Sequence, residues 1–270
     1  MEHTQMKVAV LGPEYSYSYI VGLKVFPRAR VVLCDQIGQV FREVEAGSAE
    51  KGIVPIENIN LGHLRESVDG LLENNVRINY SYTMAIHHCL AAQSQDYKVI
   101  ISKQEALDQC SAFLAGKKVD KRNSTSKAME DASKDPAYAA IGSIEAARYH
   151  GLEILQENIG NNANNATRFL EISLKETLAQ ENARTSFVLS PKGDYAGLLR
   201  NVLNPFADEG INLAQIESRP TQMKMGERFF YIELDCNLQE ERMQRALVDL
   251  ERLDIVDIRS LGSYQLVDLR

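Results

Sequence analysis

One pattern limits what this chain can become. Short β-forming apolar runs alternate with stretches of helical spacing, and the runs end in turns built from Gly, Pro or Asn. Lys7–Leu11 meets Gly12-Pro13, and Val31-Val32-Leu33 precedes Ile37–Ala46, where Val40, Phe41 and Val44 have helical spacing. Gly52–Pro55 runs into a turn, and Leu64–Leu72 is again helical. Ile78–Leu90 is apolar, rich in β-formers, and reads as one extended segment. A second set starts at Val99-Ile100-Ile101. Helices are expected there over Glu105–Leu114, Ser124–Ala132 and Ser143–His150, the last stopped by Gly151, with a strand over Ala139–Ile141. This alternation predicts an α/β architecture with largely parallel sheets. Such sheets bind ligands beyond the carboxyl ends of their strands, where Gly12-Pro13-Glu14 and Pro55-Ile56-Glu57-Asn58 fall.

The pattern changes near residue 180. Asn158–Asn165 is a polar run holding five asparagines and one glycine, which reads as a loop. It feeds Thr167–Ile172, which alternates like a strand, and Leu178–Ala183 reads as a linker. Strands are then expected over Thr185–Leu189, Ile211–Glu217, Arg228–Leu234 and Ile255–Leu261. The second and third of these are joined across a Met225-Gly226 turn, and helices are expected over Tyr195–Glu209 and Leu238–Leu250. The order β-α-β-β-α-β is the ferredoxin-like unit.

Composition narrows the function classes. The net charge is −7 over 270 residues, which argues against a general nucleic-acid binder because that needs a basic surface. No stretch approaches the roughly 18 apolar residues of a membrane span. Met1–Lys7 is polar and does not read as a secretory leader. Cys34, Cys89, Cys110 and Cys236 have no C-x-x-C spacing, and the five histidines show no metal-ligand spacing, so no metal site is expected. A reducing cytoplasm is the expected setting. The sequons Asn123-Ser124-Thr125 and Asn165-Ala166-Thr167 would be silent there. Tyr15, Tyr17 and Tyr19 form an aromatic stripe that suits packing as well as recognition.

Three segments, in order and at their spacing, carry a resemblance. They are Gly52-Ile53-Val54-Pro55-Ile56-Glu57-Asn58, then Asn165-Ala166-Thr167-Arg168-Phe169-Leu170, then Gly210-Ile211-Asn212-Leu213 leading to Glu217-Ser218-Arg219-Pro220. Over most of its length the chain resembles a prephenate dehydratase with a C-terminal ACT domain. The resemblance implies a two-lobed, periplasmic-binding-protein-like catalytic region over 1–178, with lobes of about 6–80 plus 166–176 and of 81–165. It implies an ACT domain of the ferredoxin-like (βαββαβ) class over 184–270. The implied reaction turns prephenate into phenylpyruvate without a cofactor, and L-phenylalanine would act as effector at the interface of a homodimer or homotetramer.

The resemblance also places residues. Thr167, Arg168 and Phe169 would line the cleft, with Thr167 near the leaving hydroxyl and Glu57 orienting a donor or serving as a turn residue. A threonine is too weak an acid to protonate hydroxide alone, so it would act through a positioned hydrogen bond. Prephenate is a dianion, and Arg168, Ser16, Asn58, Ser124, Thr125 and Asn165 are candidate binders. Ser16, with Ser18, and Ser124 also precede helices, so N-capping explains them equally well. Effector contacts would come from Ala196, Gly197, Leu198 and Leu199, from Asn212 and Leu213, and from Glu217, Ser218, Arg219 and Pro220. The last four could instead simply end a strand.

Departures from the family pattern cluster at the expected cleft. Tyr15-Ser16-Tyr17-Ser18 stands where Gly-Thr-Phe-Ser is usual, and a tyrosine in place of that glycine would narrow the cleft. Ile59 and Leu61 replace Ser and Glu, and Ser102-Lys103-Gln104-Glu105-Ala106 replaces Ser-His-Pro-Gln-Ala. These changes fit a working divergent enzyme. They also fit a relative acting on arogenate or another prephenate-derived acid, or a non-catalytic phenylalanine sensor.

Overall fold

The computed structural model describes residues 5–177, 183–220 and 228–269. Val8, Ala9 and Val10 are wholly buried, so β1 (Lys7–Leu11) must lie inside a sheet covered on both faces. It pairs in parallel with β2 (Arg30–Cys34) and β3 (Lys51–Asn58). Helices α1 (Tyr17–Val25), α2 (Ile37–Glu45) and α3 (Arg65–Glu73) connect these strands and pack on them. The spacing read from sequence holds in α2, which buries Ile37, Val40, Phe41 and Val44. A short β4 (Gly62–His63) folds back on β3, and β5 (Arg77–Ala85) completes this part of the lobe.

The second lobe has its own sheet, ordered β10-β6-β9-β7-β8. Its strands are β6 (Cys89–Ala92), β7 (Val99–Ser102), β8 (Val119–Lys121), β9 (Tyr138–Gly142) and β10 (Glu153–Gln156). Its helices are α4 (Gln104–Gln109), α5 (Ser111–Leu114), α6 (Thr125–Lys134) and α7 (Ile144–Tyr149). The single helix expected over Glu105–Leu114 is therefore two, broken at Cys110. The single extended segment expected over Ile78–Leu90 is also two. β5 belongs to the first sheet and β6 to the second, and Ile86-His87-His88 crosses between them. The chain returns through β11 (Ala166–Ser173), which inserts between β5 and β3, antiparallel to both. The sheets are thus mixed rather than largely parallel, because the strands that cross between lobes run against those beside them. The two crossings lie side by side, Ile86 N–H donating to the Asn165 carbonyl at 2.8 Å.

The C-terminal unit comprises β12 (Ala183–Pro191), α8 (Leu198–Asp208), β13 (Leu213–Pro220), β14 (Arg228–Leu234), α9 (Glu241–Leu253) and β15 (Val256–Leu269). Its strand order, β13-β14-β12-β15, is the ferredoxin-like one. Phe187, Val202, Phe206, Ile232, Met243 and Leu250 fill its core between sheet and helices. The expected Met225-Gly226 turn lies outside the described residues, as does the expected linker except for Ala183. Helix α8 starts later than Tyr195 because Gly197 adopts a left-handed conformation, φ 91°, at its cap.

The last strand is the main surprise. It continues eight residues past Leu261, to Leu269, and over Gln265–Leu269 it pairs in parallel with β5 of the first lobe. Among the described residues the two sheets become one of ten strands, running β13-β14-β12-β15-β5-β11-β3-β1-β2, with β4 attached to β3. Gly262 marks the junction. Its φ is +114°, and a Cβ there would stand 2.9 Å from the Ile78 carbonyl oxygen.

Candidate active site

The two lobes enclose a cleft of about 510 Å³. The first lobe lines it with the loop after β1, the start of α2, the end of β3 and strand β11. The second contributes His88, Lys103, Glu105, Gln109 and the Asn123-Ser124-Thr125 turn. The structure thus brings Thr167, Phe169, Asn58, Ser16, Ser124 and Thr125 together around this cleft. The N-termini of α1, α2 and α6 open on it, and their unpaired N–H groups favour an anion.

Thr167 and Asn58 are register partners across β11 and β3. Asn58 Nδ2 donates to Thr167 Oγ1 at 2.9 Å, to Asn165 Oδ1 at 3.0 Å and to the Ala166 carbonyl at 3.1 Å. Its Oδ1 accepts from the N–H groups of Asn60 and Leu61. Asn58 is therefore consumed in holding the strand end and the threonine. Thr167 Oγ accepts from it, so the threonine proton is the part left to donate, and none of the hydrogen bonds among the described residues takes it. Asn165 is buried behind Asn58, and its Nδ2 donates to Gln109 Oε1 at 3.2 Å. The same oxygen lies 2.8 Å from His88 Nε2. A polar chain thereby runs from Thr167 through Asn58, Asn165 and Gln109 to His88, joining the lobes at their crossing.

Gln109 and His88 carried no usable signal in the sequence. The histidines show no metal-ligand spacing, and Gln109 falls inside the helix expected to run unbroken over Glu105–Leu114. Burial pushes the His88 pKa below its ordinary 6.5, with Gln109 opposing. The folded protein thus holds His88 neutral where the unfolded chain would bind a proton. Stability is expected to fall as pH drops below about 6.5 and to gain nothing from this group above it. Denaturant melts between pH 7.5 and 5.5 check this, and His88→Gln should flatten the slope relative to the native protein.

The capping question has a mixed answer. Ser16 Oγ accepts from Tyr19 N–H at 3.2 Å and donates to the Leu11 carbonyl at 2.7 Å, so its hydroxyl is spent on the backbone. Ser18 is buried in the first turn of α1. Ser124 caps α6, accepting from Lys127 N–H at 3.0 Å, and its own proton remains available at the cleft.

Arg168 and Glu57 are corrections. Strand side chains alternate, so with Thr167 and Phe169 facing the cleft, Arg168 faces the opposite side. There Arg168 makes a two-pronged pair with Glu233 on β14, both bonds 2.8 Å, and a third bond to Glu57 at 3.1 Å. Glu57 also lies 3.4 Å from His63 Nε2 and does not line the cleft. Tyr15 is a further correction. Its φ is +58°, which accounts for glycine in the family pattern, but its ring stacks on Tyr149 of the second lobe at 4.0 Å instead of narrowing the cleft. Leu61 lines the cleft, whereas Ile59 is exposed beside it.

The candidate effector residues divide between the ends of β13. Ser218, Arg219 and Pro220 lie at its C-terminal end, the end from which β12 leads to Ala196, Gly197, Leu198 and Leu199 at the start of α8. Asn212 and Leu213 lie at the other end, with Asn212 Nδ2 donating to Asp235 Oδ2 at 2.7 Å. Arg219 makes a two-pronged pair with Asp69 of α3 at 2.8 and 2.7 Å, and Ser218 Oγ accepts from Arg228 at 2.6 Å. Glu217 sits between, inside the strand. β13 is the outermost strand of the ten-stranded sheet.

Among the described residues no group of three or more His, Cys, Asp or Glu is arranged to hold a metal ion, and no helix is long and apolar enough to cross a membrane.

Comparison with known proteins adds to this geometry. Residues 8–177 match the family model described as prephenate dehydratase, and residues 194–252 match that of the ACT domain. A prephenate dehydratase of Methanocaldococcus jannaschii is 36% identical over 247 residues, covering 88% of this chain and 89% of that protein. A bifunctional chorismate mutase/prephenate dehydratase of Aquifex aeolicus is 34% identical over 269 residues, covering 96% of this chain and 74% of that protein. The crystal structure of a prephenate dehydratase from Arthrobacter aurescens in complex with L-Phe superposes with a TM-score of 0.87 at 30% identity, over 96% of this chain and 90% of the other.

Proposed function

Because the chain belongs to the prephenate dehydratase family and carries an ACT domain over residues 194–252, we propose that it converts prephenate to phenylpyruvate under control by L-phenylalanine. The observation that carries this reading is the Thr167 hydroxyl, held by Asn58 with its proton left for the cleft. As the ring carboxylate departs as CO₂, its electron pair moves through the ring and expels hydroxide, and the gain of aromaticity drives the step. Negative charge grows on the leaving oxygen. A donor already aimed at that position stabilises it without reorganising at the moment of reaction. The helix N-termini and Ser124 suit the carboxylates of the dianion. Phe169 supplies an apolar wall beside the ring.

Effector control follows the same family reading. The candidate effector residues are split between the ends of an edge strand, so a second copy placed along β13 would bring the two sets near each other. The L-Phe complex of the Arthrobacter aurescens relative supports phenylalanine as the ligand. A homodimer or homotetramer working in the cytoplasm is the setting we assign. The test incubates purified protein with prephenate near neutral pH, with and without L-phenylalanine, and reads phenylpyruvate absorbance in alkali against a no-enzyme control. Turnover that phenylalanine alters supports both parts. No turnover from folded protein removes the prephenate reading and makes arogenate the next substrate to test.

A further inference from the structure

Resting on that functional reading, we propose that Lys103 is the cation that receives one substrate carboxylate in the cleft, and that Glu105 holds it and competes for it. Among the described residues lining the cleft, Lys103 is the only lysine or arginine, and they also include the carboxylates Asp35, Glu66 and Glu105. Arg168, the arginine that sequence placed there, is committed to Glu233 and Glu57 on the other side of the sheet. A dianion entering a space with three carboxylates and no cation would meet net repulsion. Lys103 removes that difficulty from the wall facing Thr167. It precedes α4 on the second lobe, while Thr167 and Asn58 come from the first.

The lysine is held but not buried. Its side chain is half exposed, and Nζ lies 2.9 Å from Glu105 Oε1. Burial works against ionisation of Glu105, yet the bond from Lys103 keeps its carboxyl below the ordinary value, so it is a charged competitor at neutral pH. An exposed pair of this kind has little net strength, so a carboxylate supported by helix N-termini on the other wall can displace Glu105. Lys103 stands where the family pattern has histidine, so this chain carries a permanent charge at a position that would otherwise titrate near neutrality.

The two partners give opposite signs, which a merely structural role would not. Lys103→Gln should raise KM for prephenate about ten- to a hundredfold, the loss of one charge-assisted bond, with little change in kcat. Glu105→Gln should lower KM by freeing the lysine. Raising salt should raise KM for the native protein and hardly affect Lys103→Gln. Calorimetric titration with prephenate should show the same order of affinities, and thermal melts confirm that both variants fold. Native turnover with an unchanged KM in Lys103→Gln, or a raised KM in Glu105→Gln, overturns this proposal and leaves the functional reading standing. Native protein that neither binds nor turns over prephenate overturns both.

Discussion

Thr167→Ala is expected to lower kcat for prephenate by about a hundred- to a thousandfold, the usual loss for one donor aimed at developing oxyanion charge. KM should change little, because the hydroxyl does most where charge appears and little in the ground state. The fold should survive. Asn58 Nδ2 loses one acceptor and keeps Asn165 Oδ1 and the Ala166 carbonyl, so the stability cost is about 1 kcal/mol. Thr167→Ser keeps the hydroxyl and should retain much of the rate. Steady-state kinetics on both variants, beside a thermal melt, check this. A folded Thr167→Ala protein with native kcat would remove the threonine from the chemistry.

Removal of Glu233 carries the largest expected effect on stability. Its carboxylate is fully buried and accepts from both prongs of Arg168, from Arg184 at 3.0 Å and from the Tyr231 hydroxyl at 2.7 Å. Arg184 continues the network to Asp235, which also accepts from Asn212. Glu233→Ala leaves Arg168 and Arg184 facing each other in a poorly hydrated space. Breaking one partner out of a buried network of this kind costs about 3–5 kcal/mol. Glu233→Gln should cost less, since the amide oxygen still accepts one bond. Burial works against the charge on Glu233, but Arg168 beside it holds the carboxyl below its ordinary 4.5. The stabilisation is therefore present above about pH 4.5 and is lost as pH falls through the lower, folded value. Denaturant titrations of native protein and Glu233→Ala at pH 7 and pH 4 read both effects. Equal stability at pH 7 would show that the network contributes nothing net.

That network explains why one triplet read from sequence divides into two roles. Thr167-Arg168-Phe169 matched the family as a unit, and the expectation placed all three in the cleft. A strand turns successive side chains to opposite faces. The alternation recognised over Thr167–Ile172 already implied that Arg168 could not share a face with its neighbours. What lay beyond reach was its partner, Glu233, 65 residues away on another domain. Lys103 shows the converse. It read as a departure from the pattern, and its place as the cation of the cleft depends on where Arg168 went.

The sequence by itself determined the local elements and the family. Apolar spacing set the buried face of α2, serines at the starts of α1 and α6 marked their caps, and the order of three motifs established the two kinds of domain. These are decided within a few residues, by side-chain period and backbone hydrogen bonding, so they are legible along the chain. The tertiary structure decided where Ile78–Leu90 breaks between two sheets, how far β15 runs, and which side of β11 each residue faces. Val267 and Leu269 pack against first-lobe residues, and the β5 edge that pairs with Gln265–Leu269 is 185 residues distant in sequence. No local pattern distinguishes a strand tail that finds such an edge from one that ends in solvent. That distinction rests on non-local burial and pairing, which exist only once the lobes and the C-terminal domain have come together.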